Sequence, residues 1–136
     1  MQTFLPFADF QRSVEVLDYR RLGKQRVETS QILDILLARK ESRGWANHPA
    51  TRMWTGYSEA LKVYQNYTIQ EWVRRGYKNN MPLEVIDWTK VEMPHWFGDY
   101  DFHRSHRSNL LRKDYEYYSQ YFDEPTDLPY VWRIVA

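Results

Sequence analysis

Apolar side chains recur at helical spacing along the first part of the chain. Phe10, Val14 and Leu17 follow Asp9, a favourable N-cap residue, and predict a short helix that ends at about Leu17. A second helix is predicted over residues 18–40, with an apolar stripe formed by Leu22, Thr29, Ile32, Leu33 and Leu36. The first half of this helix is highly charged, so we expect one of its ends in the core and the other at the surface.

The same spacing predicts one long helix in the middle of the chain. Residues 42–47 form a predicted loop around Gly44, and Pro49 suits the first turn of a helix that ends at Gly76. The predicted buried face of this helix consists of Met53, Trp54, Tyr57, Leu61, Tyr64 and Trp72.

The remainder of the chain is predicted to be irregular apart from a last helix. Prolines and glycines break up residues 78–100, where only residues 83–87 suggest a short helix. A last helix is predicted over residues 105–121, with Leu111, Tyr118 and Phe122 facing inward, and Pro125 and Pro129 predict an extended C-terminal tail. No long stretch alternates with a period of two. We therefore predict an all-α fold, a compact single-domain bundle of three main helices over residues 1–136.

Composition limits the classes of protein to consider. A length of 136 residues suits one domain with its own core, and the absence of cysteine excludes disulfides, thiol catalysis and Cys-based zinc sites. The N-terminal stretch lacks the features of a signal peptide, and no apolar stretch is long enough to cross a membrane. These features predict a cytoplasmic, monomeric protein with no obligate protein partner and no cofactor.

The distribution of charge is more informative than the net charge of +1. Residues 12–52 and 103–113 are rich in Lys and Arg, whereas residues 114–127 are acidic, so the surface should be polarised. Aromatic residues make up 17% of the chain. Most of them are expected to fill the core, although exposed tyrosines also serve as stacking platforms for nucleic-acid bases.

The densest polar cluster lies at the start of the second predicted helix. Arg21, Lys24, Gln25 and Glu28 share one helix face there, beside Arg20 and Arg26. Cations near a helix N-terminus oppose the helix dipole, and a bound phosphate would relieve this conflict. The alternative interpretation is a solvated face with weak, exposed ion pairs.

Two further groups are candidates for contacts with nucleic acid. Arg104, His106 and Arg107 stand with hydroxyl residues near a predicted helix start, which is typical of phosphate-contacting surfaces. His48 and Arg52 flank the start of the long helix, where His48 is equally compatible with a capping role. The His103–His106 spacing has no third ligand at a diagnostic distance, so we expect no metal site.

In its order of segments the chain resembles the pyrimidine-dimer DNA glycosylase family of the phage endonuclease V type. The resemblance depends on Asp18-Tyr19-Arg20 in the second helix, on Val73 to Tyr77 at the end of the long helix, and on Met93-Pro94. It continues through Phe97 to Tyr100 and a following His-x-x-Ser-like segment at 103–106. It implies a compact helical fold that binds double-stranded DNA.

The resemblance also implies a mechanism in which the N-terminal α-amine is the nucleophile. The amine attacks the sugar C1′ of a damaged nucleotide, forms a Schiff base and permits strand cleavage by β-elimination. An ordinary α-amine titrates at about 7.7–8.0 and is therefore partly neutral at pH 7. The damaged nucleotide is flipped out of a kinked duplex.

The chain departs from the family pattern at three positions. Gln2 is too large for removal of the initiator methionine, so the amine would belong to Met1. Arg21 stands where the family has its catalytic glutamate, and Lys24 replaces a family arginine and lacks the bidentate guanidinium fork. The carboxylates left for an acid/base role are Glu28, on the same helix face as Arg21, and Asp18.

The sequence therefore predicts a DNA glycosylase-like enzyme for a damaged or modified base, with AP-lyase activity through the N-terminal amine as a further expectation. Two alternatives remain open. One is a nucleic-acid-binding module that has kept the fold without the chemistry. The other is an N-glycosidic enzyme that acts on free nucleotides.

Overall fold

The computed structural model describes residues 1–40 and 44–134, and the regular secondary structure in these ranges is entirely helical. The all-α prediction is therefore confirmed. The longest helices are α2, α4 and α5, which are the three main helices expected. The helices in chain order are α1 (Phe10–Glu15), α2 (Tyr19–Leu36), α3 (Pro49–Met53), α4 (Ser58–Arg74), α5 (Tyr100–Lys113) and α6 (Tyr115–Tyr118), with a 3-10 turn at Trp88–Lys90.

The first two helices begin within one residue of their predicted starts, and each follows an aspartate N-cap. The Asp9 carboxylate accepts a hydrogen bond from the Arg12 amide, and the Asp18 carboxylate accepts one from the Arg21 amide. Helix α2 ends at Leu36, four residues before the predicted end, and Ala38 then adopts a left-handed conformation with φ 52°. Of the predicted loop 42–47, residues 44–47 form turns, whereas 42 and 43 lie outside the described residues.

The prediction of one long helix from Pro49 to Gly76 is wrong, because the chain breaks at residues 54–57. Helix α3 ends at Met53, and Gly56 has φ +88°, a left-handed conformation that stops helix propagation. Helix α4 then begins at Ser58. The predicted end is confirmed, since Gly76 follows α4 with φ +91°.

The second half of the chain departs from prediction in two places. Residues 83–87 are not helical, and the only helical turn in this described segment is the 3-10 turn at Trp88–Lys90. The last predicted helix begins five residues early, because Asp99 accepts hydrogen bonds from the amides of Asp101 and Phe102. Asp114 adopts an extended conformation (φ −154°, ψ 81°) that separates α5 from α6. Residues 122–134 contain no helix or strand, as predicted for the C-terminal tail.

The core lies where α2 packs along α4 and where α1 crosses α4. Its largest side chains are aromatic, which confirms that many aromatic residues serve packing. The largest fully buried aromatic side chains are those of Trp54, Trp96, Tyr64, Tyr118 and Phe102. No described helix is long and apolar enough to cross a membrane.

Candidate active site

The N-terminal segment, residues 1–7, has no regular secondary structure and passes through the core, where side chains hold its peptide groups. The Gln25 carboxamide donates to the Gln2 carbonyl (2.7 Å) and accepts from the Phe4 amide (2.8 Å). The Tyr64 hydroxyl donates to the Phe4 carbonyl at 2.7 Å. A buried segment outside a sheet needs such partners, because unpaired main-chain groups are costly to bury.

Two histidines of α5 bind the main-chain N–H and C=O groups of Leu5. The Leu5 amide donates to Nδ1 of His106 at 2.9 Å, and Nδ1 of His103 lies 2.8 Å from the Leu5 carbonyl oxygen. His103 Nε2 accepts from the Gly98 amide, so its Nδ1 is the protonated nitrogen that donates to Leu5. Burial lowers the pKa of His106 to about 3 and also lowers the pKa of His103. Both rings are therefore neutral in the folded protein.

Two residues predicted to contact nucleic acid thus have internal roles. His106 is fully buried and Gln25 is only 2% exposed. Both side chains are directed at the N-terminal segment instead of the surface. The helical spacing placed Gln25 on the same face as Lys24 and Glu28, but it gave no sign that a further chain segment covers that position.

Met1, at the start of the N-terminal segment, lies in the wall of a cleft of about 950 Å³. The predicted catalytic residues Met1, Asp18 and Glu28 all line this cleft. In the sequence they belong to two separate elements, the N-terminal segment and α2 with its N-cap. Further lining residues are Gln2, Phe4, Tyr19, Arg20, Arg21, Lys24, Gln25, Arg75, Lys113, Asp114, Tyr117 and Tyr130.

Glu28 contacts the peptide group that follows Met1. Its Oε2 accepts a hydrogen bond from the Gln2 amide at 3.1 Å, and that amide belongs to the peptide bond after Met1. The side chain of Met1 packs against the core. The Gln2 carboxamide is buried with its Oε1 on the Thr3 amide, whereas its Nε2 has no hydrogen-bond partner among the described residues.

Asp18 is also in the cleft, but its oxygens are engaged. It caps α2, pairs with the Arg21 guanidinium at 3.1 Å, and accepts a hydrogen bond from the Tyr118 hydroxyl. Burial opposes ionisation of Asp18, but the hydrogen bonds from Tyr118 and Arg21 outweigh it and lower its pKa. These contacts favour the ionised form of Asp18, which caps the start of α2.

The rim of the cleft is cationic. Arg20 and Lys24 are exposed there, and Lys113 approaches from the end of α5. Burial lowers the pKa of Lys113, and the nearby Arg21, Arg112 and Lys24 lower it further. Lys24 and Lys113 form no ion pair among the described residues, and Glu28 offsets their charge only in part, so the rim favours an anion.

The sequence did not single out Lys113, Tyr117 or Tyr130 for the site. Lys113 and Tyr117 flank Asp114, where the chain turns between α5 and α6, and Tyr130 belongs to the tail. The basic run over residues 103–113 indicated a positively charged surface that includes Lys113. The proximity of Lys113 to α2, however, depends on tertiary packing.

The remaining predicted contacts lie outside the cleft. Arg26 donates to Asn79 at 2.6 Å, and Arg104 and Arg107 both pair with Glu124, at 3.2 and 2.9 Å. Arg52 is exposed on α3. These four arginines are not among the residues that line the cleft.

His48 has the capping role that the sequence left open, because its Nδ1 accepts from the Ala50 amide at 3.0 Å. Burial lowers its pKa, and the α-ammonium group of Met1 lowers it further, so the imidazole stands within electrostatic range of the chain terminus. Across residues 1–40 and 44–134, no group of three His, Asp or Glu side chains could hold a metal ion.

Comparison with known protein families gives one match. The family model described as pyrimidine dimer DNA glycosylase matches residues 1–85, which include the N-terminal segment and helices α1 to α4. No curated protein and no solved structure matches the chain. The matched region contains Met1, Asp18 and Glu28, and it exceeds half of the chain. The chain therefore belongs to the pyrimidine dimer DNA glycosylase family.

Proposed function

We propose that this protein is a DNA glycosylase that removes a damaged or modified base from double-stranded DNA, with the α-amine of Met1 as nucleophile. The observation that supports this most directly is the hydrogen bond from the Gln2 amide to Glu28. It brings a carboxylate next to the chain terminus inside a cationic cleft. Family membership supports glycosylase activity, whereas the lesion and the catalytic residues are our proposal.

The chemistry begins with the neutral amine attacking C1′ of the target nucleotide. A bond forms between the Met1 nitrogen and C1′, and the bond between C1′ and the base breaks, so that the base leaves with the glycosidic electron pair and takes up a proton. Loss of a proton from nitrogen and opening of the sugar ring give a Schiff base. Removal of a C2′ proton then expels the 3′ phosphate, which is the AP-lyase step, and water releases the amine.

Glu28 is the proposed acid/base for these proton transfers. Its Oε2 already accepts from the Gln2 amide, which leaves Oε1 for the amine or the sugar. Asp18 is the alternative carboxylate, but its hydrogen bonds to Tyr118 and Arg21 hold it in a capping role. Arg21 occupies the position of the family's glutamate and serves here as the partner of Asp18.

The cations at the rim are the proposed DNA contacts. Arg20, Lys24 and Lys113 surround the mouth of the cleft and would bind backbone phosphates on either side of a displaced nucleotide. Displacing a nucleotide costs a few kcal/mol and is easiest at a damaged step.

Borohydride trapping on a duplex with an abasic site tests this proposal. We expect a covalent adduct, carried by the tryptic peptide of residues 1–12 once mass spectrometry has confirmed Met1 as the first residue. An adduct at Lys24 or Lys113 would transfer the nucleophile to a side chain and overturn the assignment of Met1. Duplex binding without any adduct would instead support the non-catalytic binding module, and activity on free nucleotides alone would support the N-glycosidic alternative.

The role of Glu28 is tested by Glu28→Gln, with Glu15→Gln as the matched control on the exposed side of α1. General acid/base groups contribute about 10²–10⁴-fold to a rate, so Glu28→Gln should slow adduct formation by that order. Duplex affinity should change little. Equal rates for the two variants would remove Glu28 from the mechanism.

A further inference from the structure

The Arg21 guanidinium lies in the cleft with most of its hydrogen-bond donors unused. One of its N–H groups donates to the Asp18 carboxylate at 3.1 Å, and this guanidinium has no other hydrogen-bond partner among residues 1–40 and 44–134. The side chain is 26% exposed and lines the cleft. Because a guanidinium has five N–H donors, several of them are left for a ligand in the cleft.

Two side chains from other elements of the cleft wall respond to the charge of Arg21. Burial lowers the pKa of Lys113, and the charge of Arg21 lowers it further although Glu28 opposes this effect. Burial raises the pKa of Tyr130 to about 12, and the charges of Arg112 and Arg21 oppose that rise. The charge of Arg21 therefore acts on the space between α2, the end of α5 and the C-terminal tail.

A buried tyrosine holds Arg21 in this position through Asp18. The Tyr118 hydroxyl donates to Oδ1 of Asp18, the same oxygen that accepts from the Arg21 guanidinium, and it accepts from the Asp18 amide at 3.1 Å. Tyr118 is fully buried, and its ring stacks on that of Phe122 at a centroid distance of 5.8 Å. A buried polar network with satisfied members is rigid, so the guanidinium is held ready for a ligand.

Arg21 and Glu28 lie on either side of the place proposed for the reacting sugar. They share one face of α2, seven residues or about 10 Å apart along the helix axis. Glu28 contacts the peptide group that follows Met1, so the proposed nucleophile lies at the Glu28 end of this interval. A nucleotide attacked at C1′ beside Met1 then has a phosphate of the same sugar within reach of the guanidinium.

We propose that Arg21 is a catalytic residue for the AP-lyase step, in which its guanidinium binds the departing 3′ phosphate, and that Asp18 and Tyr118 are its positioning residues. The inference rests on the proposed function. When Glu28 removes the C2′ proton of the Schiff base, the C–H electron pair forms the C2′=C3′ double bond. The C3′–O bond breaks, and its electron pair goes to the phosphate oxygen. The phosphate thereby gains a negative charge, which a guanidinium fork stabilises with two parallel N–H donors.

The test separates adduct formation from strand cleavage on a duplex with a single abasic site, in single turnovers at saturating protein. Borohydride trapping measures the Schiff base, and release of the labelled strand measures elimination. Arg21→Gln should form the adduct at nearly the wild-type rate but cleave the strand about 10²–10³-fold more slowly, as when one electrostatic donor is removed from an active site. Arg21→Lys keeps the charge without the fork and should recover part of the cleavage rate. Equal cleavage rates for wild type and Arg21→Gln would overturn the proposal.

Arg74→Gln is the matched control. Arg74 pairs with Glu71, three residues earlier, as Arg21 pairs with Asp18, but it does not line the cleft. Both of its rates should equal those of wild type. A similar loss of cleavage in Arg74→Gln, or a loss of adduct formation as large as that of cleavage in Arg21→Gln, would assign the effect to folding or binding and reject the catalytic role.

The positioning role is tested by Tyr118→Phe, which removes the hydroxyl and keeps the ring beside Phe122. Cleavage should slow by about 10-fold, the effect of one hydrogen bond to a charged group, while adduct formation is unchanged. Because Tyr118 acts through Arg21, adding Tyr118→Phe to Arg21→Gln should slow cleavage no further. A double variant whose loss is the product of the two single losses would show an independent structural effect and reject the positioning role.

This inference and the proposed function fail in different ways. Wild-type protein that forms no adduct on the abasic duplex would overturn both. An adduct at Met1, with strand cleavage that is indifferent to Arg21→Gln, would support the nucleophile and overturn the role of Arg21 alone.

Discussion

The peptide N–H of Leu5 donates a 2.9 Å hydrogen bond to Nδ1 of His106, 101 residues away along the chain. The imidazole can accept this bond only while Nδ1 is unprotonated. His106 is fully buried, and its Nε2 has no partner among the described residues. The position of the N-terminal segment, and with it the geometry of the proposed nucleophile, therefore depends on the charge state of a core residue.

Stability should fall as the pH is lowered through this titration. Burial lowers the pKa of His106 from 6.5 to about 3, so below pH 6.5 the unfolded chain binds a proton that the folded protein does not. The contribution is fully present above pH 6.5 and is lost toward pH 3, at a slope approaching about 1.4 kcal/mol per pH unit. Urea unfolding at pH 7.5, 6.0 and 5.0 measures it.

The control for this prediction is His106→Asn, in which the amide oxygen can replace Nδ1 as acceptor but cannot titrate. This variant should be less stable at pH 7.5, because it leaves a cavity. Its free energy of unfolding should nevertheless fall less steeply between pH 6.0 and 5.0. Equal slopes for the two proteins would exclude His106 as the group responsible.

Replacing Gln25 by leucine should destabilise the fold through the N-terminal segment. The change leaves the Gln2 carbonyl and the Phe4 amide without their partners, and each unsatisfied buried group costs about 1–3 kcal/mol. We expect a total loss of about 2–6 kcal/mol in urea unfolding. Gln70→Leu, at an exposed site on α4, is the matched control and should stay within about 0.5 kcal/mol of wild type.

Gly23→Ala should fail to give the stabilisation expected for a helix interior. Alanine is favoured over glycine there by about 1 kcal/mol, but its Cβ would lie 3.0 Å from Cη2 and 3.1 Å from Cζ3 of Trp72. Overpacking of this kind typically costs about 1–3 kcal/mol, so the variant should be no more stable than wild type. Gly44→Ala, which has no atom within 4 Å of its added Cβ, is the control. A clear gain in thermal stability for Gly23→Ala would show that Trp72 moves freely.

The salt dependence of duplex binding should identify the phosphate contacts. For each contact removed, the slope of log K against log salt concentration should become shallower by about 0.9. We expect this change for Lys24→Ala and for Lys113→Ala, measured by fluorescence anisotropy at several salt concentrations. Lys90→Ala is the control, since Lys90 is 74% exposed, lies outside the cleft lining and faces Asp87. Equal slopes of log K against log salt concentration for wild type and the three variants would exclude both cleft lysines as phosphate contacts.

Much of the fold could be predicted because its signals are local. The cap at Asp9 and the glycine at position 76 act within one helical turn, and the structure confirms both. Two of the errors occurred where a single residue overrides a continuing apolar pattern. Gly56 interrupts the predicted long helix and Asp114 the last one, although the apolar spacing continues across both.

The sequence by itself determined the helical fold class, the family and the polar face of α2, because hydrophobic spacing and motif order are encoded along the chain. Only the tertiary structure decided that Gln25 and His106 face inward while Lys113 and Tyr130 reach the cleft. The reason is that the N-terminal segment has no periodic signal. The side chains that bind the peptide groups of Phe4 and the Leu5 amide lie 21 to 101 residues away, and only packing brings them there.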